Sequence, residues 1–323
     1  MVGLVRWAVV ILAAGQGKRL RSHLPKVLQP LAGRPLLDHV MDRATEVVER
    51  RKICVVVGHG KDAVLSHLKD QGVRTVVQEP QLGTGDALSH GLTGLGDDPV
   101  DAVLVLSGDV PLLRSTTVSH LQQPLENGAA VTLLTARLEE PAAYGRVVRS
   151  RDGSVERIVE ARDATPHESR LNEVNAGVYC FRTAGLSDLL AALRPENSQG
   201  EYYLTDVVAA ITRRRETVAA VELEDPEEML GVNTRADLSH VAAVLNRRVL
   251  AALMDAGVTV QDPGTTWVEP GCIVEVDAVL EPGVILRRGT TIGPAAHIGA
   301  HSVLERATIA AGERVPPLSH ITA

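Results

Sequence analysis

Residues 7–28 read WAVVILAAGQGKRLRSHLPKVL, and the interpretation of this stretch decides the fold. With Arg6 in front, the apolar run from Trp7 to Ala14 superficially copies a signal peptide with a small-residue cleavage site. The run is short, however, and passes straight into Gly15-Gln16-Gly17-Lys18-Arg19, as a buried strand passes into a turn. A strand is therefore expected here, and nothing in the chain approaches the ~20 apolar residues of a membrane span.

Further strands follow at Ile53–Val57, Val73–Gln78 and Ala102–Leu106, beside Val9–Leu12 in the opening run. All are continuously apolar and bounded by glycine or polar turns. Helix-period segments around Leu36–Arg50, Lys61–Gln71 and Gly85–Gly94 alternate with them. This alternation predicts an α/β fold with a mostly parallel sheet and helices on both faces. Ligands of such sheets sit outside the carboxyl ends of the strands, which here lead into Ala13–Pro35, Gln78–Gly85 and Ser107–Pro111. The first of these is too long for an ordinary connection of about 2–6 residues and is rich in Gly, Lys and Arg. Such a loop points to a phosphate site.

A second pattern begins further on. Ala236–Ala256 reads as an amphipathic helix with Leu238, Val241, Ala242, Leu245, Val249, Ala252 and Leu253 on one face, closed by Gly257. From Val268 an apolar residue recurs every sixth position, at Val274, Leu280, Leu286, Ile292, Ile298 and Leu304. Four residues after each comes a mostly small one: Cys272, Ala278, Val284, Thr290, Ala296, Ser302 and Thr308. A six-residue period is not helical; it predicts a hexapeptide-repeat β-helix with apolar residues inside and small ones at the corners. The expected domains are thus 1–235, a linker helix at 236–257, and the β-helix at 258–323.

Composition narrows the function. The 323 residues are 45% hydrophobic and 23% charged, as in ordinary globular proteins. The net charge of −7 and an aromatic content of 2% supply neither the basic field nor the stacking platforms of nucleic-acid binders. Cys54, Cys180 and Cys272 are odd in number and lack a CxxC, which fits a reducing cytoplasm and no structural zinc. The eleven histidines, including His59, His297 and His301, form no metal constellation and are expected to be structural or at the surface.

The residues themselves suggest chemistry. Small residues at Gly15 and Gly17 let backbone N–H groups approach phosphate oxygens, and Lys18, Arg19 and Lys26 supply cations in the same loop. The third glycine of a dinucleotide fingerprint and the GK[ST] of a P-loop are both missing. Asp109 follows a hydrophobic strand; it reads either as a strand-ending turn residue or as an oxygen ligand for Mg²⁺. Gln78 to Gly85 carries paired amides able to read a base edge, and the same segment reads as a loop capped at Thr84 or Asp86. Glu160, taken alone, reads as a surface charge.

The stretch LAAGQGKRLRSHLPKVLQPLAGRPLLDHV resembles the signature of sugar-1-phosphate nucleotidyltransferases. It is most similar to the uridyltransferase domain of bifunctional N-acetylglucosamine-1-phosphate uridyltransferases/glucosamine-1-phosphate acetyltransferases. Further matches follow in the family's order: Gln78 with Gln81–Gly85, Gly108–Leu112, Tyr144–Arg146, Ile158–Glu160, Asn175–Gly177, Gln199–Asp206 and Gly231–Asn233. Together they cover nearly all of residues 8–257, and the family places its left-handed β-helix where the hexapeptides lie here.

The resemblance implies a Rossmann-like uridylyltransferase that moves UMP from UTP to N-acetylglucosamine-1-phosphate, giving UDP-N-acetylglucosamine and pyrophosphate for peptidoglycan and cell-wall synthesis. It implies nucleotide contacts along Leu12, Ala13, Ala14 and Gly15 and at Ser107, Gly108 and Asp109, with the uracil read by Gln78, Gly83 and Thr84. It places the amino sugar at Gly145, Glu160 and Asn175, and Mg²⁺ on Asp109 and Asn233. Arg19, Lys26 and Asp109 become the catalytic residues. Lys18, Ser107, Ala176 and Thr234 depart from the family's usual Thr, Tyr, Thr and Asn, so the sugar is less closely specified than the reaction. Glucose-1-phosphate or dTTP as substrates, or a non-catalytic sugar-nucleotide-binding subunit, are the alternatives. Three hexapeptides make one coil in the family, so little more than two coils are expected. With the family's acetyl-CoA residues on later coils, no acetyltransferase activity is expected. The short array is expected to serve as a cap or as a surface for homo-oligomers, trimeric in the family.

Overall fold

A computed structural model describes residues 5–322. Residues 5–29 with Pro35–Thr234 cluster as one compact unit, and Pro30–Arg34 with residues 235–322 as a second.

The first unit is built on a nine-stranded sheet. Its main path runs Val218–Glu222, Val131–Arg137, Glu173–Arg182, Ala102–Ser107, Trp7–Ala13, Ile53–Val57, Arg74–Val77. The opening run is thus a strand at the middle of this sheet, parallel to both neighbours: Val9 sits beside Ile53 on one side and Leu104 on the other. Residues Ala8 to Ile11 are completely buried, which is why the run carries no polar alternation. Glu173–Arg182 is antiparallel to Ala102–Ser107 and Val131–Arg137, so the sheet is mixed. Helices cover both faces in separate core clusters. Helix α1 (Leu36–Val47) packs Leu37, Val40 and Met41 on one side, while α3 (Thr84–Gly94) packs Ala87 and Leu88 on the other. Helices α2, α4, α5 and α6 span Lys61–Leu68, Ser115–Glu126, Leu186–Ala191 and Thr205–Arg213.

Between Asn175 and Tyr179 the pairing with Val131–Arg137 slips, and the extra residues bulge around Gly177, whose φ is +73°. The bulge is tied down by the Asn175 amide, which donates to the Tyr179 hydroxyl (2.6 Å) and accepts from the Gly177 N–H (3.2 Å).

In the second unit, helix α7 (Arg235–Asp255) is followed by short parallel strands stacked in three sheets of four, four and three strands, as a β-helix requires. The seven sixth-position residues from Val268 to Leu304 are all buried. Hydroxyls at two corners turn onto the next coil: Thr290 Oγ1 donates to the Leu304 carbonyl and Ser302 Oγ to that of Pro316.

Three expectations are corrected here. The array is longer than two coils, because Thr259–Val260 joins the sheets outside the sixth-position pattern, while Arg314–Val315 and His320–Thr322 carry that pattern on one residue out of phase, at Ile309, Val315 and Ile321. Thr308 is exposed, and Ala307 and Ile309 are buried instead. The coil is one residue shorter there: Ile285 pairs with Val303, but Thr291 pairs with Thr308. The corner is turned at Arg306 with φ +53°, and that shifts the inward alternation by one. In α7, Ala252 is exposed while Val244 and Leu250 are buried beside Val241, so burial does not follow the single stripe that the periodicity suggested. The Val249, Leu250 and Leu253 end packs into the β-helix core.

Candidate active site

The carboxyl ends of Trp7–Ala13, Arg74–Val77 and Ala102–Ser107 open into a cleft of about 560 Å³ within the first unit. Leu12, Ala13, Ala14, Gly15 and Lys26 line it from the first loop, Gln78, Gly83 and Thr84 from the second, and Ser107 and Asp109 from the third.

Backbone bonds tie the first loop to its neighbours. Gly108 N–H donates to the Leu12 carbonyl (2.9 Å), and His59 N–H to that of Ala14 (3.2 Å). Gly108 does not line the cleft; a Cβ there would press on Ala13, Val27 and the Leu12 carbonyl, so it serves by close approach of the two strand ends. Val232 N–H donates to the Asp109 carbonyl (3.0 Å) and brings the following Asn233 alongside.

Those ties deliver the charged centre. The Lys26 ammonium is ion-paired with Asp109 Oδ2 and donates to Asn233 Oδ1 at 2.8 Å. All three side chains come from separate parts of the sequence, and Lys26 and Asp109 are only slightly exposed. Gly17 sets Lys26: its φ is +60°, and a Cβ would fall 2.7 Å from that of Lys26. Gly15 has a different reason to be glycine. A Cβ there would meet nothing within 4 Å, and its φ is not positive, so no protein contact demands its smallness.

The second loop is held from behind by residues 201–204. Tyr202 N–H donates to the Leu82 carbonyl, Gly85 N–H to that of Tyr202, and Leu204 N–H to Thr84 Oγ1, all within 2.8–3.0 Å. Gly83, at φ +115°, would carry a Cβ 2.6 Å from the Tyr202 carbonyl. The expectation of a cap at Thr84 or Asp86 is corrected: Gly83 is the N-cap of α3, without a side-chain cap. Thr84 is instead taken by Leu204, and Asp86 by Gln78.

Glu160 is half-buried, not a surface charge. One oxygen accepts from Thr205 Oγ1 (3.2 Å), and the other lies 3.6 Å from where a Cβ on Gly145 would be. Burial pushes its pKa up; the Thr205 bond opposes this, and Asp163, Asp206 and Glu201 add to it. Asn175 N–H donates to the Gly145 carbonyl (2.9 Å), so these two expected sugar residues are adjacent, although both ends of the Asn175 amide are engaged by the bulge. Gly145, Glu160, Asn175 and Asn233 do not line the cleft itself. Arg19 is exposed and also outside the lining, whereas its neighbour Lys18 is part of it. Gln16, Val27 and Ala87 also line the cleft, as do Gln81, one of the paired amides of the second loop, and Glu201 from the Gln199–Asp206 match. Gln16 Nε2 donates to Gln81 Oε1 (3.1 Å), and this polar pair on two distant loops has no local sequence signature.

A lysine, a carboxylate and an open glycine turn at the carboxyl edge of a parallel sheet suit transfer from a polyphosphate, and sequence comparison places the chain in that class. Residues 9–256 match the model of the MobA-like NTP transferase domain, which makes this a nucleotidyltransferase. The chain is 43% identical over 310 residues to the bifunctional protein GlmU of Desulfitobacterium hafniense, covering 96% of this chain and 67% of that protein. It is 42% identical over 333 residues to the bifunctional protein GlmU of Trichlorobacter lovleyi (97% and 72% covered), and 44% over 319 residues to that of Burkholderia mallei (97% and 68%). The chain belongs to the GlmU family.

Proposed function

We propose that this enzyme transfers UMP from UTP to N-acetylglucosamine-1-phosphate with Mg²⁺, releasing pyrophosphate. The observation that carries the reading is the Lys26 ammonium held between Asp109 Oδ2 and Asn233 Oδ1. Two hard oxygen donors from distant segments already converge on one positive point. Among the described residues no group of three or more His, Cys, Asp and Glu side chains could hold a metal, so the set suits an ion that completes its shell with substrate phosphates. Asp109 and Asn233 would hold magnesium, which would supply charge neutralisation at the phosphates.

The remaining work falls to the chain. The sugar-phosphate oxygen attacks the α-phosphorus, a new P–O bond forms, and the bond to the β-phosphate bridging oxygen breaks. The attacking oxygen is already ionised, so no general base is needed, and catalysis rests on position and charge. The Gly15 to Gly17 turn offers the phosphates its backbone N–H groups, and the missing side chain of Gly15 is what keeps that approach open. Lys26, drawn from its ion pair, neutralises charge on the triphosphate as it develops, with Arg19 from the same loop. Gln78, Gly83 and Thr84 read the base. Gly145, Glu160 and Asn175 bound the sugar side, where a carboxylate accepts from sugar hydroxyls.

The same reading includes a cytoplasmic location and self-association through the β-helix. Among the described residues no helix is long and apolar enough to cross a membrane. The test is a pyrophosphate-release screen of purified protein with UTP, dTTP and CTP against N-acetylglucosamine-1-phosphate and glucose-1-phosphate. UTP with the N-acetylated sugar is expected to give the highest kcat/KM. A better rate with glucose-1-phosphate or dTTP overturns the substrate assignment, and no turnover with any pair overturns catalysis.

A further inference from the structure

We infer that Asp86 sets the polarity with which Gln78 meets the nucleobase, and thereby makes the cleft select UTP over CTP. The inference rests on the assignment of the second loop to the base and goes one residue beyond it. Gln78 directly follows the strand Arg74–Val77 and is 3% exposed. Its amide nitrogen donates to the Gly83 carbonyl at 2.9 Å and to Asp86 Oδ2 at 2.6 Å. A primary amide has two N–H hydrogens, and both are spent.

What remains of the Gln78 amide is an acceptor. Oε1 has no partner among the described residues, and Gln78 lines the cleft. The opposite orientation is closed off, because it would set Oε1 against a carbonyl and a carboxylate, neither of which donates. The Gly83 carbonyl favours the same orientation, but the bond donated to the Asp86 carboxylate is the shorter and stronger of the two.

Asp86 is itself held in place and direction. It stands in the first turn of α3, where the helix end favours a negative charge, and makes no capping bond. Its other oxygen lies 3.7 Å from His90 Nε2, one turn on. An acceptor fixed in this way complements uracil, whose N3 carries a hydrogen. It opposes cytosine, whose N3 carries a lone pair. Asp86 is therefore a positioning residue that need not touch the nucleotide.

The test compares UTP and CTP binding, by calorimetry with Mg²⁺, and kcat/KM, in the wild type, Asp86→Asn and Asp86→Ala. Asparagine can donate to a reversed Gln78 amide, whereas alanine leaves the Gly83 carbonyl still favouring the native orientation. The expected order of UTP-over-CTP preference is wild type, then Ala, then Asn. Asp86→Asn should lose at least tenfold and gain CTP binding in absolute terms, with both variants melting cooperatively. A purely structural Asp86 would give the reverse order, with the isosteric Asn milder than Ala, and that order or an unchanged ratio overturns the inference. A wild type that binds both nucleotides equally overturns it as well. A wild type that prefers UTP, loses the preference in Asp86→Asn and turns over no sugar phosphate would sink the proposed reaction but sustain this inference.

Discussion

At the scale of single residues, the site spends folding energy to hold charge. Lys26 and Asp109 are mostly shielded from water and face each other through a contact that a substrate must displace. Glu160 shows the cost directly. Its pKa stands above the ordinary carboxylate value because burial disfavours the charged form, partly offset by Thr205 and reinforced by three neighbouring acids. A carboxyl whose pKa is raised on folding contributes stability that is complete below the unfolded value of about 4.3 and is lost as pH rises through the folded one. Glu160→Gln keeps the acceptor for Thr205 but never ionises. It is expected to melt above the wild type at pH 8, with the gap closing toward pH 4, as read by scanning calorimetry; a constant or inverted gap contradicts the assignment. The positions of Gly15, Lys26 and Asp109 were legible as motifs. The engagement of Asn175 by its own bulge was not, because it depends on a register slip that no local pattern announces.

At the scale of elements, the apolar runs at Trp7, Ile53 and Ala102 marked strands because residues buried on both faces leave no room for polar alternation. Boundaries were less legible: the third strand covers only Arg74–Val77, and Gln78, whose N–H still donates to the Val57 carbonyl, turns its side chain to hold the next loop. The hexapeptide period revealed the β-helix interior but missed its two ends, because Thr259 pairs with Val279 across 20 residues and the 17-residue pairing of Thr291 with Thr308 puts Ile309, Val315 and Ile321 one residue out of phase. The glycine loop divides into two roles that substitution separates. Gly17→Ala forces a side chain into a left-handed backbone and against Lys26, and is expected to cost about 1–2 kcal/mol. Gly15→Ala meets open space and is expected to stay within about 0.5 kcal/mol of wild type while UTP affinity falls at least tenfold. Denaturant melts and nucleotide titrations check both, and a Gly15→Ala protein with normal affinity contradicts the phosphate role.

For the whole molecule, two compact units answer to two different periodicities in one sequence, alternating strands and helices before about residue 235 and six-residue coils after it. A net charge of −7 gives the chain no long-range pull on a nucleotide, so the positive charge that matters is local, at Lys18 and Lys26 in a cleft of about 560 Å³. The central claim is that Lys26 and the Asp109–Asn233 oxygen pair act together on one triphosphate. It is tested most directly by pyrophosphate release from UTP and N-acetylglucosamine-1-phosphate across a Mg²⁺ titration, in the wild type, Lys26→Ala and Asp109→Ala. The account expects a saturable Mg²⁺ dependence in the wild type and a loss of about 10²-fold or more in each folded variant. Turnover that ignores Mg²⁺, or a folded Asp109→Ala enzyme working at nearly the normal rate, would contradict it.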